Sequence, residues 1–299
     1  MERALTVAVE GLSEGVSEDL IPPLREAITA LHLRITELQT NISYNDEKLA
    51  VRVINMMTVA TASNSTNHTS DDEVDSGSTS FMMFSTVLVL LMTTPGIMLY
   101  YSGMVRLQNV LSTAIQAYVI ASLVTFLWLL VGYSICFGSS SLGGVVGSLD
   151  KVWLRGVGSD PAHELASHIP EYVFCSFHLA FAIITPSLIC GAFANRMKFW
   201  SVVVFLSLWH LIVYCPIVHC FWHPAGWLSK WGVQDFAGGC VVHISAGFSA
   251  LISALMVGKR KQHKIIKTLH PHNKVISAIG ASLLNVGWYG FNAGKSSAT

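Results

Sequence analysis

The sequence predicts an all-α, polytopic membrane protein: six transmembrane helices behind a polar, partly helical N-terminal extension. Three observations carry this. Hydrophobic residues make up 52% of the chain and charged residues 12%, with a mean hydropathy of +0.52; soluble domains carry about 25% charged residues. The average hides two parts. Residues 1–80 are polar and charge-mixed, whereas 81–299 hold the cysteines, tryptophans and phenylalanines. Finally, six apolar stretches near 81–103, 110–137, 172–192, 199–219, 236–258 and 275–295 each approach the roughly 20 residues that a membrane helix needs.

In the extension, 20–56 reads as a helix. Leu24, Ile28, Leu31, Ile35, Leu38 and Ile42 form a heptad-like seam, which fits an amphipathic helix or a short coiled coil. Residues 61–80 are rich in Ser, Thr, Asn and Asp and read as a disordered linker. Asn41, Asn64 and Asn67 begin glycosylation sequons, which matter only if this end is outside the cell. The start of the chain lacks the long apolar run of a cleavable signal peptide, so targeting falls to the first membrane helix.

Charge sets the orientation of the six spans. Loops 104–109, 193–198 and 259–274 carry nine Lys and Arg residues, against three in the alternate loops. By the positive-inside rule the first set faces the cytoplasm and the N-terminus lies outside. The 138–170 connection is then a long outer loop, and 220–235 a short aromatic one. Pro95 and Pro186 fall inside spans and are expected to kink them. Net charge is zero, and no nucleic-acid partner or cofactor is expected. The six cysteines (136, 175, 190, 215, 220 and 240) form no CxxC pair and read as apolar packing residues.

The polar residues of the spans are few, and such residues are costly at membrane depth. His243 lies mid-span in the predicted 236–258 helix. A buried imidazole favours its neutral form, which both donates and accepts a hydrogen bond. That suits a small hydrogen-bonding solute or a proton relay; a packed histidine bonded to a carbonyl is the plainer reading. Asp235 stands at the start of the same helix, where it can cap free N–H groups and make the outer side negative. Phe177 and Phe181 share one face of the third span, and Trp222 ends the fourth. Such rings are either plain core or cation-attracting faces. His219 and His223 have an HxxxH spacing reminiscent of membrane metal sites, but no second box or paired carboxylates support it. His178 and His210 read as packing or lining residues.

Several motifs, in order, resemble the ammonium transporters (Amt/Mep/Rh). FMMFSTVLVLLMTTPGIMLYYSGMVRLQNVL is similar to the family's first helix and following loop, GAFANRMKF to its 3–4 loop, DFAGGCVVHISAG to its fifth-helix signature and GWYGFNAG to its sixth. The resemblance implies roles. Trp222 and Phe177 match the aromatic residues of an outer cation-recruitment site, with Asp235 the structural aspartate beside it. Phe181 and Phe291 match two stacked phenylalanines that gate a pore, and His243 matches the first of two pore histidines. It implies that ammonium loses its proton and crosses as ammonia. A bare cation in a dry pore would pay tens of kcal/mol in the idealised limit.

Two departures stand out. Lys295 occupies a position where the family usually has serine, and Ser102-Gly103 replaces a Gly-Gly pair. The family fold has eleven spans in two inverted repeats. Residues 81–299 hold the first repeat and one further helix, so this chain alone is expected not to conduct. The expected localisation is the plasma membrane. The expected assembly is a homotrimer, or a hetero-oligomer with full-length relatives. A regulatory subunit is the alternative function, and a His-box metalloenzyme a more remote one.

Overall fold

A computed structural model describes residues 74–162, 165–259 and 271–297. The heptad seam, the three sequons at Asn41, Asn64 and Asn67, and most of the basic 259–274 loop lie outside the described residues.

Five helices are long and apolar enough to cross a membrane. Helix α1 spans Ser76–Met104, α2 Leu107–Phe137 and α3 Glu171–Phe193. Helix α4 covers 199–222, and after a turn the short α5 (Trp227–Lys230) extends this fourth candidate span. Helix α6 is Gly239–Val257. The sixth predicted span is also a helix, α7 (Lys274–Ala293), but it is less apolar and is not one of the five. Lys274, Asn285, Asn292 and three glycines dilute it.

Helix α1 begins five residues before the expected span, because Asp75 caps it. The Asp75 carboxylate accepts from the N–H of Gly77 at 3.2 Å and of Ser78 at 2.6 Å, satisfying donors that a helix start leaves open. The end of the polar 61–80 stretch is therefore helical rather than linker. Pro95 sits in a π-helical turn, Met92–Gly96, where the ladder widens around its missing N–H. The expected kink at Pro186 does not break α3, which runs as one α-helix across it.

The 138–170 connection adds four short strands that the all-α expectation did not include. β1 (Ser140–Ser141) pairs antiparallel with β2 (Val146–Gly147), and β3 (Pro161–Ala162) with β4 (Ala166–Pro170). The connection is pinned to the helices. Lys151 pairs with Glu171 at the start of α3, and the Tyr133 hydroxyl donates to the same carboxylate at 2.8 Å. Asp150 accepts from the Ser139 hydroxyl at 2.6 Å. Burial pushes the Asp150 carboxyl up, but hydrogen bonds involving Ser139 and Ser148 outweigh it and bring it down to about 2.

Helix α3 is the centre of the bundle: 78% of its most apolar window is buried, about twice the share for α2 or α4. Helix α7 lies against α1 at backbone contact. A Cβ on Gly280 would sit 2.3 Å from the Tyr100 nitrogen, and one on Gly287 2.6 Å from the Leu88 carbonyl oxygen. Without water between them, membrane helices associate by such close packing at small residues. At the other end of the molecule, Arg196 donates to the carbonyls of Ala192 and Gly258, tying the 193–198 loop to the end of α6.

Candidate pore and cation site

The predicted 236–258 span reaches three residues too far toward the N-terminus. Instead, 231–238 is a loop, and the helix starts at Gly239. The reason is local. Gly238 adopts φ +89°, a left-handed conformation that costs glycine little. Asp235 folds back over the helix end. Its Oδ1 accepts from the N–H of Gly238 and Gly239 at 2.8 and 2.7 Å, and Oδ2 from Cys240 and Val241 at 2.9 and 2.7 Å. Four orphan donors are thus met by one carboxylate. His243 consequently lies in the opening π-helical turn, Gly239–Ile244, nearer the helix start than the predicted span placed it.

The same loop positions Trp222. Its indole N–H donates to the Asp235 backbone carbonyl at 2.7 Å. The Asp235 carboxylate faces the helix and its carbonyl faces the tryptophan, so the residue acts by placing neighbours. Facing Trp222 from α3 stands His178, with ring centroids 5.4 Å apart. His178 Nδ1 lies 3.0 Å from the Phe174 carbonyl. A carbonyl only accepts, so Nδ1 carries the proton and Nε2 presents a lone pair. That lone pair meets the Lys295 Nζ at 3.2 Å, and the same Nζ sits 4.2 Å from the Trp222 ring centre. Lys295 and His178 are both buried.

Next come the phenylalanines. Phe177 packs on Phe181 at 4.9 Å, and Phe181 stacks on Phe291 at 4.1 Å and 21°. Trp222 meets Phe181 edge-on at 5.7 Å. Phe177, Phe181 and Phe291 are all buried. Gly294 makes room for this cluster: a Cβ there would come within 2.6 Å of the Phe177 ring. On the far side of Phe291 lies His243, 5.8 Å away and stacked on Trp288 at 5.4 Å and 10°. His243 is half-buried.

The structure thus brings Trp222, Phe177, Phe181, Phe291 and His243 into one continuous row, with Asp235 holding its first member. His178, read from the sequence as a packing or lining residue, stands between Phe177 and Phe181, while Trp288, which backs His243, was not named. The spacing of His178 from Phe177 and Phe181 was the available signal. His219 and His223 stand elsewhere and are already committed. His219 lies 2.8 Å from the Cys136 carbonyl and 3.1 Å from the Ser140 hydroxyl, while His223 accepts from the Ala225 N–H at 3.0 Å. Among the described residues no group of three or more His, Cys, Asp or Glu could hold a metal ion.

A bundle of apolar helices around an internal row of rings and imidazoles is the architecture of a polytopic membrane protein. The comparisons specify which. The model of the Ammonium Transporter Family matches residues 80–299, and the chain belongs to that family. It is 42% identical to an ammonium transporter of Bacillus subtilis over 73% of this chain and 52% of the relative. It is also 42% identical to Ammonium transporter 1 of Dictyostelium discoideum, over 74% and 48% respectively. The crystal structure of Candida albicans Mep2 superposes with a TM-score of 0.67 at 34% identity, over 76% of this chain and 50% of that one. The chain therefore spans about half the length of these relatives. Those with a named activity are transporters, not enzymes.

Proposed function

We propose that this chain supplies the first half of an ammonium pathway. Ammonium arrives at Trp222 and Phe177, gives up its proton, and passes as ammonia between Phe181 and Phe291 to His243. The unbroken row of rings from Trp222 to His243 is the observation that carries this reading. Each member suits its step. An aromatic face attracts a cation, by about 2 kcal/mol or more when desolvated. Stacked phenylalanines offer nothing to a hydrated ion. A neutral imidazole can hydrogen-bond ammonia. Potassium cannot shed a proton and meets the full desolvation barrier.

The first repeat carries one side of that path, so conduction takes a second repeat, from the same protein or from a full-length relative. The distribution of basic residues supports a plasma-membrane orientation with the 138–170 connection and the N-terminus outside. A trimer is the assembly that the family resemblance implies.

The test is a hybrid in which residues 80–295 replace the matching half of the Bacillus subtilis transporter. Methylammonium uptake should fall sharply with Phe291→Ala or His243→Ala, while potassium remains excluded in the parent hybrid. Unchanged uptake and selectivity in both variants would overturn the assignment.

A further inference from the structure

Lys295 places a cationic side chain at the mouth of the row, and its placement follows a pattern. Its ammonium lies over the Trp222 face at 4.2 Å and within hydrogen-bond distance of His178 Nε2 at 3.2 Å. The first contact suits a cation and the second suits an N–H donor, which together describe an alkylammonium seat. The seat is built rather than incidental. Trp222 is fixed by the Asp235 carbonyl, and the Phe174 carbonyl sets the tautomer of His178 so that Nε2 can only accept. Gly294, immediately before the lysine, lets the backbone pass against Phe177 where any side chain would collide.

We propose that Lys295 is a tethered occupant of the cation seat formed by Trp222 and His178, so that free ammonium or methylammonium binds there only by displacing it. The side-chain head is chemically an alkylammonium, and it acts at the high effective concentration of an intramolecular ligand. The seat's identity as an ammonium site rests on the function proposed above; its occupation by Lys295 rests on the geometry alone. The consequence is a transporter half whose mouth is self-blocked, with the position of the lysine setting how readily substrate enters.

The experiment uses the full chain in lipid nanodiscs, with two readouts. The first is the rate at which a small amine-reactive reagent modifies Lys295, referenced to the exposed Lys230. Lys295 should react several-fold more slowly than Lys230, and Trp222→Leu should remove that protection. The second is equilibrium binding of radiolabelled methylammonium. Lys295→Ser should gain saturable binding at least about tenfold tighter than the parent, and Lys295→Ser with Trp222→Leu should lose it. Lys295→Arg keeps the cation and should bind no better than the parent. Helical circular dichroism on every variant guards against misfolding. Lys295 reacting as fast as Lys230, or a parent chain binding methylammonium as tightly as Lys295→Ser, overturns the proposal. A protected Lys295 with no methylammonium binding in any variant supports the occupied seat and overturns the ammonium reading instead.

Discussion

The two ends of the ring row differ in how completely this chain builds them. At the Trp222 end every partner comes from within the chain: α3 supplies His178 and Phe177, the end of α4 supplies Trp222, and the turn after α7 supplies Lys295. At the His243 end the imidazole stacks on Trp288 and touches Phe291, but it is only half-buried. On the proposed function, the difference separates recognition from conduction: recognition would rest on the packed Trp222 end, and conduction on a further wall opposite His243, since polar groups at membrane depth are tolerated where protein or a cavity covers them.

This contrast can be broken or sharpened. The largest effect is expected at the support beneath the mouth. Asp235→Ala removes the acceptor of four N–H groups and should destabilise the bundle by about 2–4 kcal/mol. Thermal unfolding in detergent would show it, together with a change in indole fluorescence as the loop holding Trp222 loosens. Next, Gly280→Val should push α7 off α1 and cost about 1–3 kcal/mol, because its Cβ would overlap the Tyr100 backbone. Faster proteolysis of the 259–274 loop is the accompanying sign.

At the open end, His243→Ala should change stability by less than about 1 kcal/mol, since its described contacts are ring stacking on a half-buried side chain. A loss as large as that of Asp235→Ala would mean that His243 is a structural keystone and the contrast between the two ends is false. The smallest effect is pH-dependent and lies in the connection. Asp150 has a folded-state value below the ordinary 3.8, so its contribution is present above that value and is lost as pH falls through about 2. The 138–150 segment should become more protease-sensitive over that window in the parent, with an acid-tolerant protease as the probe, and Asp150→Asn should flatten the change.

Much of this was legible in the sequence, and the exceptions have physical causes. Among the described residues, runs of apolar residues located every long helix, because membrane length and hydropathy are one-dimensional signals. The helix starts were less visible. Asp75 and Asp235 both cap helices that begin elsewhere than the apolar run suggests, and capping is decided by three-dimensional return of the side chain. The strands of 138–170 are too short to show periodicity. In the site, the phenylalanines and His243 came from motifs. His178 was legible as a packing or lining residue but its pairing with Lys295 was not, because the two are 117 residues apart in the chain. Lys295 was visible as a departure from the family's usual serine; the structure sets its Nζ over the Trp222 ring and against His178 Nε2.

The most direct measurement is methylammonium uptake by the two-repeat hybrid carrying Lys295→Ser, compared with the same hybrid bearing lysine and with a Lys295→Ser, His243→Ala double variant. The account predicts low uptake with lysine, a clear rise with serine, and loss of that rise when His243 is removed. Equal uptake with lysine and serine, or a rise that survives His243→Ala, would contradict it.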